Sequence, residues 1–205
     1  MYVLDVGTGT GLLSLMYAQK NFDAIIDAVE IDVAAAQQAK ENFEASPWKE
    51  RLRVYNTSIQ QFSQSTNQPI NQSTRYDLII SNPPFFENHL KSNNGKRNLA
   101  LHSEELSLKE LLDAIEKNLK DDGNFAILLA PHRTEQFINS ALRKSFYPVE
   151  KIWVRQTPEH NYFRSILLFT RQEVSAKQSE IIIQDEEGKY TDGFVELLKD
   201  YYLYL

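Results

Sequence analysis

Tyr2-Val3-Leu4-Asp5-Val6-Gly7-Thr8-Gly9-Thr10-Gly11 opens the chain: five strand-forming residues, then a turn with glycine at every second position. An apolar run over Tyr2–Val6 without alternation suits a parallel strand buried on both faces. The glycines let the backbone fold back sharply and leave no side chain between it and a ligand. Residues 11–19 then carry helical spacing. Strand, glycine turn and helix in that order begin an α/β nucleotide-binding unit, in which N–H groups at the helix start hold a pyrophosphate in dinucleotide folds. Here Asp5 stands two residues before the first glycine. Its charge repels a pyrophosphate and suits the α-ammonium of a methionine-like ligand.

Outward from that turn, the apolar pattern alternates. Strands are expected over 24–30, 51–55, Tyr76–Ser81, 124–130, 149–155 and 165–171, and helices over 34–45, 106–119 and 134–142. Asp121-Asp122-Gly123 closes the helix over 106–119, with Gly123 suited to a left-handed cap. The pattern predicts a Rossmann-like α/β fold: a seven-stranded, mostly parallel sheet with helices on both faces and an antiparallel last strand. A length of 205 residues fits a single domain over 1–205. Residues 60–74, rich in Gln, Ser, Thr and Asn, read as a polar insertion. Residues 86–103 form a long loop carrying Lys91, Lys96 and Arg97, of a length that is usually functional or disordered.

Composition removes several chemistries. Without cysteine there is no disulfide, thiol nucleophile or cysteine-ligated zinc. His89, His102, His132 and His160 lack metal-ligand spacing, so no metal is expected. No apolar run approaches the ~18 residues of a membrane span, which predicts a cytoplasmic protein without a membrane partner; a monomer is expected. The net charge of −6 disfavours an indiscriminate nucleic-acid binder. Arg133, Arg143, Lys144, Lys151, Arg155, Arg164 and Arg171 form a basic stretch against this background. It reads equally as one basic face or as solvated charges on several faces.

Glu30 ends the second strand about 20 residues beyond the glycines, where a carboxylate accepts both hydroxyls of a ribose. Asp32 suits the cap of the next helix. Together the turn and Glu30 indicate an adenosine-containing ligand without choosing between a nicotinamide cofactor and S-adenosylmethionine. The fourth strand chooses, because it ends in Asn82-Pro83-Pro84-Phe85 at the carboxyl edge of the sheet. The prolines stiffen the turn and remove N–H donors, leaving carbonyls as a fixed acceptor array. Asn82 through its side-chain oxygen and Pro83 through its backbone oxygen can accept both hydrogens of a planar –NH₂. That favours a pyramidal nitrogen whose lone pair faces the methyl donor. Phe85 offers a ring for stacking a base, worth roughly 1–3 kcal/mol. The chemistry needs no catalytic His or Cys.

On these residues the chain resembles the class I methyltransferases that act on amino groups and share an (N/D/S)PP(Y/F) motif. Within them it is most similar to the bacterial tRNA adenine-N(6) methyltransferases that modify tRNA1(Val) just 3′ of the anticodon. YDLIISNPPFF, a polar loop leading into RNLALH, the apolar LSLKELL, FRSILLF and the closing YTDGFVELLKDYYLYL carry the likeness over nearly the whole chain. The resemblance implies S-adenosylmethionine as cofactor, bound by Asp5, Gly7, Gly9, Gly11 and Glu30. Ser58 takes the place after the third strand that receives the cofactor's adenine. It further implies a tRNA partner, with Asn82, Pro83 and Phe85 holding a flipped-out adenine, Pro84 and Phe86 beside it, and Lys91, Lys96 and Arg97 on RNA phosphates. The basic stretch from Arg143 to Arg171 would join them there. Family members carry a segment upstream of the first strand, which the resemblance expects to be missing here.

Three rivals remain: the same transfer to guanine-N(2) of ribosomal RNA, the same transfer to a release-factor glutamine amide, and a truncated, non-catalytic binding module. The guanine enzymes often read NPPFH and the glutamine enzymes carry a separate N-terminal helical domain, features this sequence does not show. A nicotinamide oxidoreductase has no use for NPPF.

Overall fold

A computed structural model describes residues 1–62, 75–83 and 108–202. The elements follow in the order β1 Tyr2–Val6, α1 Leu12–Lys20, β2 Ile25–Glu30, α2 Val33–Ala45, β3 Leu52–Asn56, α3 Ile59–Phe62 and β4 Tyr76–Ser81. After them come α4 Leu108–Asn118, β5 Leu119–Leu129, α5 Pro131–Leu142, β6 Tyr147–Arg155, β7 Arg164–Thr170, β8 Lys177–Ile182 and α6 Asp192–Leu198. The strands make one sheet in the order β3-β2-β1-β4-β5-β7-β6-β8. β7 runs antiparallel to both its neighbours, and the other pairings are parallel.

The chain builds outward from β1 to β3, then returns to place β4 on the other side of β1. This reversal opens a crevice at the carboxyl ends of β1 and β4, the place where open α/β sheets bind ligands. β1 is central and buried from Val3 to Val6, as its unbroken apolar run requires.

Helices α4 and α5 cover one face through a core of Leu111, Ile115, Phe125, Phe137, Phe146 and Phe169. Phe125 stacks on Phe169 at 4.6 Å and meets Phe146 edge-on at 5.1 Å, the two arrangements that aromatic quadrupoles favour. On the opposite face α1 and α2 pack Ala18 and Phe43 over Ile26, Ala28 and Leu52. Beyond them Ile80, Ala126, Leu128 and Ile166 are half-buried along a cavity of about 360 Å³. Buried Asp27 is satisfied by the Tyr76 hydroxyl at 2.8 Å, with Arg53 4.0 Å away.

Two expectations need correction. The sheet has eight strands rather than seven. β8 pairs parallel with β6 at the edge, and its first four residues are exposed, so it lacks the apolar signal by which a strand is read. Gly123 is not a left-handed cap, because α4 stops at Asn118 and Gly123 lies inside β5 without a positive φ. Leu119 is buried in register with Tyr76, Lys120 pairs with Asp77 at 2.6 Å, and a register shift brings Asn124 opposite Leu78. These contacts draw the chain into the sheet before a cap can form. A side chain at Gly123 would press on Leu119 at 2.9 Å, which explains the glycine. The expected insertion over 60–74 and loop over 86–103 fall almost wholly outside the described residues.

Candidate active site

The glycine turn leaves β1 with Gly7 at φ 72° and Gly9 at φ 58°. Both lie in the left-handed region, and a Cβ on either would point into open space. Strain there selects glycine, and the space beside the backbone is free for a ligand. Gly11 differs. At φ 88° it precedes α1, and a Cβ would meet the Phe43 ring at 2.5 Å, so its lack of a side chain serves the packing of α1 on α2.

The turn's N–H groups are largely committed. Those of Gly7 and Thr8 donate to the Val29 carbonyl, that of Gly9 to Glu30 Oε2 at 2.8 Å, and that of Gly11 to the Thr8 carbonyl. Asp5 occupies the anion position at the start of α1. Its Oδ2 accepts from Thr8 Oγ1 at 2.6 Å and Ser14 Oγ at 2.7 Å, and the carboxylate also accepts the Ser14 N–H. A pyrophosphate would find its donors already used and a carboxylate in its place. Burial pushes the Asp5 carboxyl above the ordinary carboxylate range, the bonds from Thr8 and Ser14 oppose the shift, and the charge of Glu30 adds to it. Asp5 Oδ1 is buried without a hydrogen-bond partner. An orphaned carboxylate oxygen with the Glu30 charge acting on it fits a cationic group.

Glu30 closes the other side. Oε1 accepts the Asp32 N–H at 2.9 Å, and each carboxylate oxygen keeps acceptor capacity for a hydroxyl. Asp32 caps α2, taking the Ala35 N–H at 2.8 Å. Ile31 beside Glu30 is 49 % exposed, an apolar surface at the mouth of the crevice. Asn56 Nδ2 donates to the carbonyls of Glu30 and Ile31 at 2.9 and 3.1 Å and fixes that edge. Ser58 is half-buried after β3, and its Oγ accepts the Gln61 N–H at 3.2 Å.

Across the crevice, Val6 pairs with Ser81, and Ser81 Oγ donates to the Val6 carbonyl at 2.8 Å. Asn82 therefore leaves β4 alongside Gly7, roughly one strand spacing of ~4.8 Å away. Asn82 is exposed and Pro83 is buried. The structure thus gathers Asp5, Gly7, Gly9, Glu30, Asn82 and Pro83 at one sheet edge. Pro84, Phe85, Phe86, Lys91, Lys96 and Arg97 lie outside the described residues.

The basic stretch does not form one face. Lys144 is held by Asp113 at 2.8 Å and Glu116 at 2.5 Å, and Lys151 by Glu135 at 3.6 Å. Arg171 lies 4.3 Å over the Phe146 ring. Arg155 and Arg164 reach the carboxyl edge, where β6 ends and β7 begins. Sequence reading missed Ile31, Asn56, Thr8 and Ser14. An apolar residue following a strand-end acid was the available signal for Ile31; Asn56 acts through hydrogen bonds between strands, and Thr8 and Ser14 through local bonds to Asp5. Among the described residues no cluster of His, Cys, Asp or Glu is placed to hold a metal, and no helix is long and apolar enough to cross a membrane.

Comparison with known proteins gives the family and the fold. Residues 1–157 match the family model of the Methyltransferase small domain. The chain is 35 % identical over 201 residues to a tRNA1(Val) (adenine(37)-N6)-methyltransferase of Flavobacterium psychrophilum, covering 98 % of this chain and 83 % of that protein. It is 40 % identical over 205 residues to the protein of the same name in Dyadobacter fermentans, covering 98 % and 82 %. Its fold superposes on a predicted O-methyltransferase of Agrobacterium tumefaciens with a TM-score of 0.72 at 14 % identity, covering 97 % and 88 %.

Proposed function

The chain belongs to the Methyltransferase small domain family, and from that premise we propose that it methylates the N6 amino group of adenine 37 in tRNA1(Val). The methyl donor is S-adenosylmethionine. The observation that carries the reading is the bond from Ser81 to Val6, which sets an amino-group acceptor pair beside a glycine turn suited to a cationic adenosine ligand.

S-adenosylmethionine supplies an electrophilic methyl on a sulfonium. Open space beside Gly7 and Gly9 receives its backbone-like portion, the unpartnered Oδ1 of Asp5 suits its ammonium, and Glu30 suits its ribose hydroxyls. Ile31 offers its adenine an apolar face, with Ser58 as an acceptor nearby. Gly11 supports this arrangement by seating α1 on Phe43.

On the target side, Asn82 Oδ1 and the Pro83 carbonyl accept the two amino hydrogens, which localises the nitrogen lone pair toward the methyl. Nitrogen attack forms the N–C bond as the C–S bond breaks, and the methylated nitrogen then releases one proton to solvent. Phe85 stacks on the base, Pro84 and Phe86 frame it, and Lys91, Lys96 and Arg97 meet phosphates; the roles of these six residues rest on sequence alone. An anticodon-loop base is already unpaired, so presenting it costs little. A tRNA-modifying reaction supports a cytoplasmic location.

The test is to offer methyl-labelled S-adenosylmethionine with unmodified tRNA, ribosomal RNA and a release factor in parallel. Label confined to tRNA is expected. Label in ribosomal RNA or in protein would transfer the same chemistry to another substrate.

A further inference from the structure

The turn between β6 and β7 lies on the same sheet edge as Asn82. Ser81 is in register with Ile127 of β5, Leu129 of β5 with Ser165 of β7, and Arg164 with Val154 of β6. The residues that begin β7 therefore sit two strands from Asn82, or about 10 Å at the usual spacing. Thr134 Oγ1 and Ser165 Oγ, 2.6 Å apart and buried, tie α5 to that point, so the first turn of α5 with Arg133 lies beside it.

This turn shows two adjacent aromatic rings to solvent, Tyr162 at 41 % and Phe163 at 39 % exposure. Exposure alone does not single them out, since Phe22 is more exposed, but Phe22 precedes β2 at the opposite edge. Two features separate the pair. The first is rigidity. Tyr162 packs on Trp153 at 5.5 Å, lies under the Arg155 guanidinium at 5.5 Å, and donates to Glu180 Oε2 at 2.9 Å. Phe163 is pinned by its N–H to the Val154 carbonyl at 2.9 Å. The second is charge: Arg164 lies 5.5 Å over the Phe163 ring and Arg155 5.5 Å over the Tyr162 ring, on a protein of net charge −6. Glu180 is held by Arg155, and Glu159 is the exposed acid of the turn. Ordered rings interleaved with guanidinium groups match single-stranded nucleic acid, which presents base faces between phosphates.

We propose that Tyr162 and Phe163, flanked by Arg155 and Arg164, form a stacking platform for a nucleotide next to the target base in a single-stranded RNA loop. This rests on the RNA reading of the site above and extends it to residues that touch neither the amino group nor the cofactor. The platform holds the flanking base while Asn82 receives the target, so its contribution appears in RNA affinity and not in cofactor affinity.

The experiment is a binding titration of the full chain, saturated with S-adenosylhomocysteine, against a fluorescent anticodon stem-loop of tRNA1(Val). Phe163→Ala and Tyr162→Ala are each expected to weaken binding about tenfold or more. Phe163→Trp and Tyr162→Phe, which keep a ring, should bind as wild type. S-adenosylhomocysteine affinity should stay unchanged in all four, which a merely structural role would not allow. Equal RNA binding by wild type and the alanine variants overturns the platform alone. Wild-type protein that binds S-adenosylhomocysteine but not the RNA overturns the RNA reading, and the platform with it.

Discussion

Ser81 Oγ donates to the Val6 carbonyl at 2.8 Å, joining the last residue of β4 to the last residue of β1 inside the core. Each strand hands over to a motif at the next residue, Gly7 on one side and Asn82 on the other. Donor and acceptor subsites are thereby fixed by two rigid strands, which is how a transfer reaction gains from orientation.

Asn82 tests the acceptor side. It is exposed, and its side chain holds no hydrogen-bond partner among the described residues, so its loss should leave the fold intact. Asn82→Ala is expected to keep S-adenosylhomocysteine affinity within error and to lower kcat at least ~100-fold. Equal losses of cofactor binding and rate would assign the residue to the cofactor instead.

Glu30 tests the donor side. Its carboxylate holds the Gly9 and Asp32 N–H groups and is assigned the ribose hydroxyls. Glu30→Ala should weaken S-adenosylhomocysteine binding by about tenfold or more, as expected for charge-assisted hydrogen bonds, with KM for tRNA little changed. Calorimetry on the variant measures it.

Gly7 and Gly11 should respond differently to alanine. At Gly11 the new methyl meets Phe43 at 2.5 Å on a left-handed backbone, so Gly11→Ala should cost about 3 kcal/mol in stability. At Gly7 the space is open, and only backbone strain of about 1 kcal/mol is expected. Gly7→Ala should instead show its main effect on cofactor affinity. Chemical denaturation alongside cofactor titration separates the two.

Asp5 should give cofactor binding a pH dependence. Burial raises its pKa, and only the ionised form attracts an ammonium. Affinity is therefore full above the raised pKa and falls as the pH drops through it, starting at a higher pH than for an exposed aspartate. Asp5→Asn should bind S-adenosylhomocysteine more weakly at neutral pH and with a flatter pH profile. A wild-type profile as flat as the variant's would remove Asp5 from contact with the ammonium.

In the parallel half of the fold, β1 and β4 were legible because they are apolar runs inside the sheet and end in turns that carry glycine or proline. β1 and β4 match the expected limits, and β6 and β7 pair antiparallel as expected. β8 was not legible because its exposed residues have no apolar period, and Gly123 misled because a buried close approach and a helix cap demand the same residue. At the site, Asp5, Glu30 and Asn82 stood out as polar residues at the ends of apolar strands. Asn56 did not, since its hydrogen bonds are made between strands, and Thr8 and Ser14 did not, since they bond locally to Asp5 and read as ordinary turn and helix-start residues. The basic stretch was half legible: its charges could be counted, Glu135 within it included, but Asp113 and Glu116, which neutralise Lys144, come from another element.

The most direct measurement is to react the chain with methyl-labelled S-adenosylmethionine and a tRNA1(Val) transcript, then digest the RNA and identify the labelled nucleoside. A second transcript carries guanine in place of adenine 37. Label in N(6)-methyladenosine from the first transcript and none from the second is the expected result. Label in another nucleoside, or equal label from both transcripts, contradicts the assignment of the Asn82–Pro83 site to that adenine.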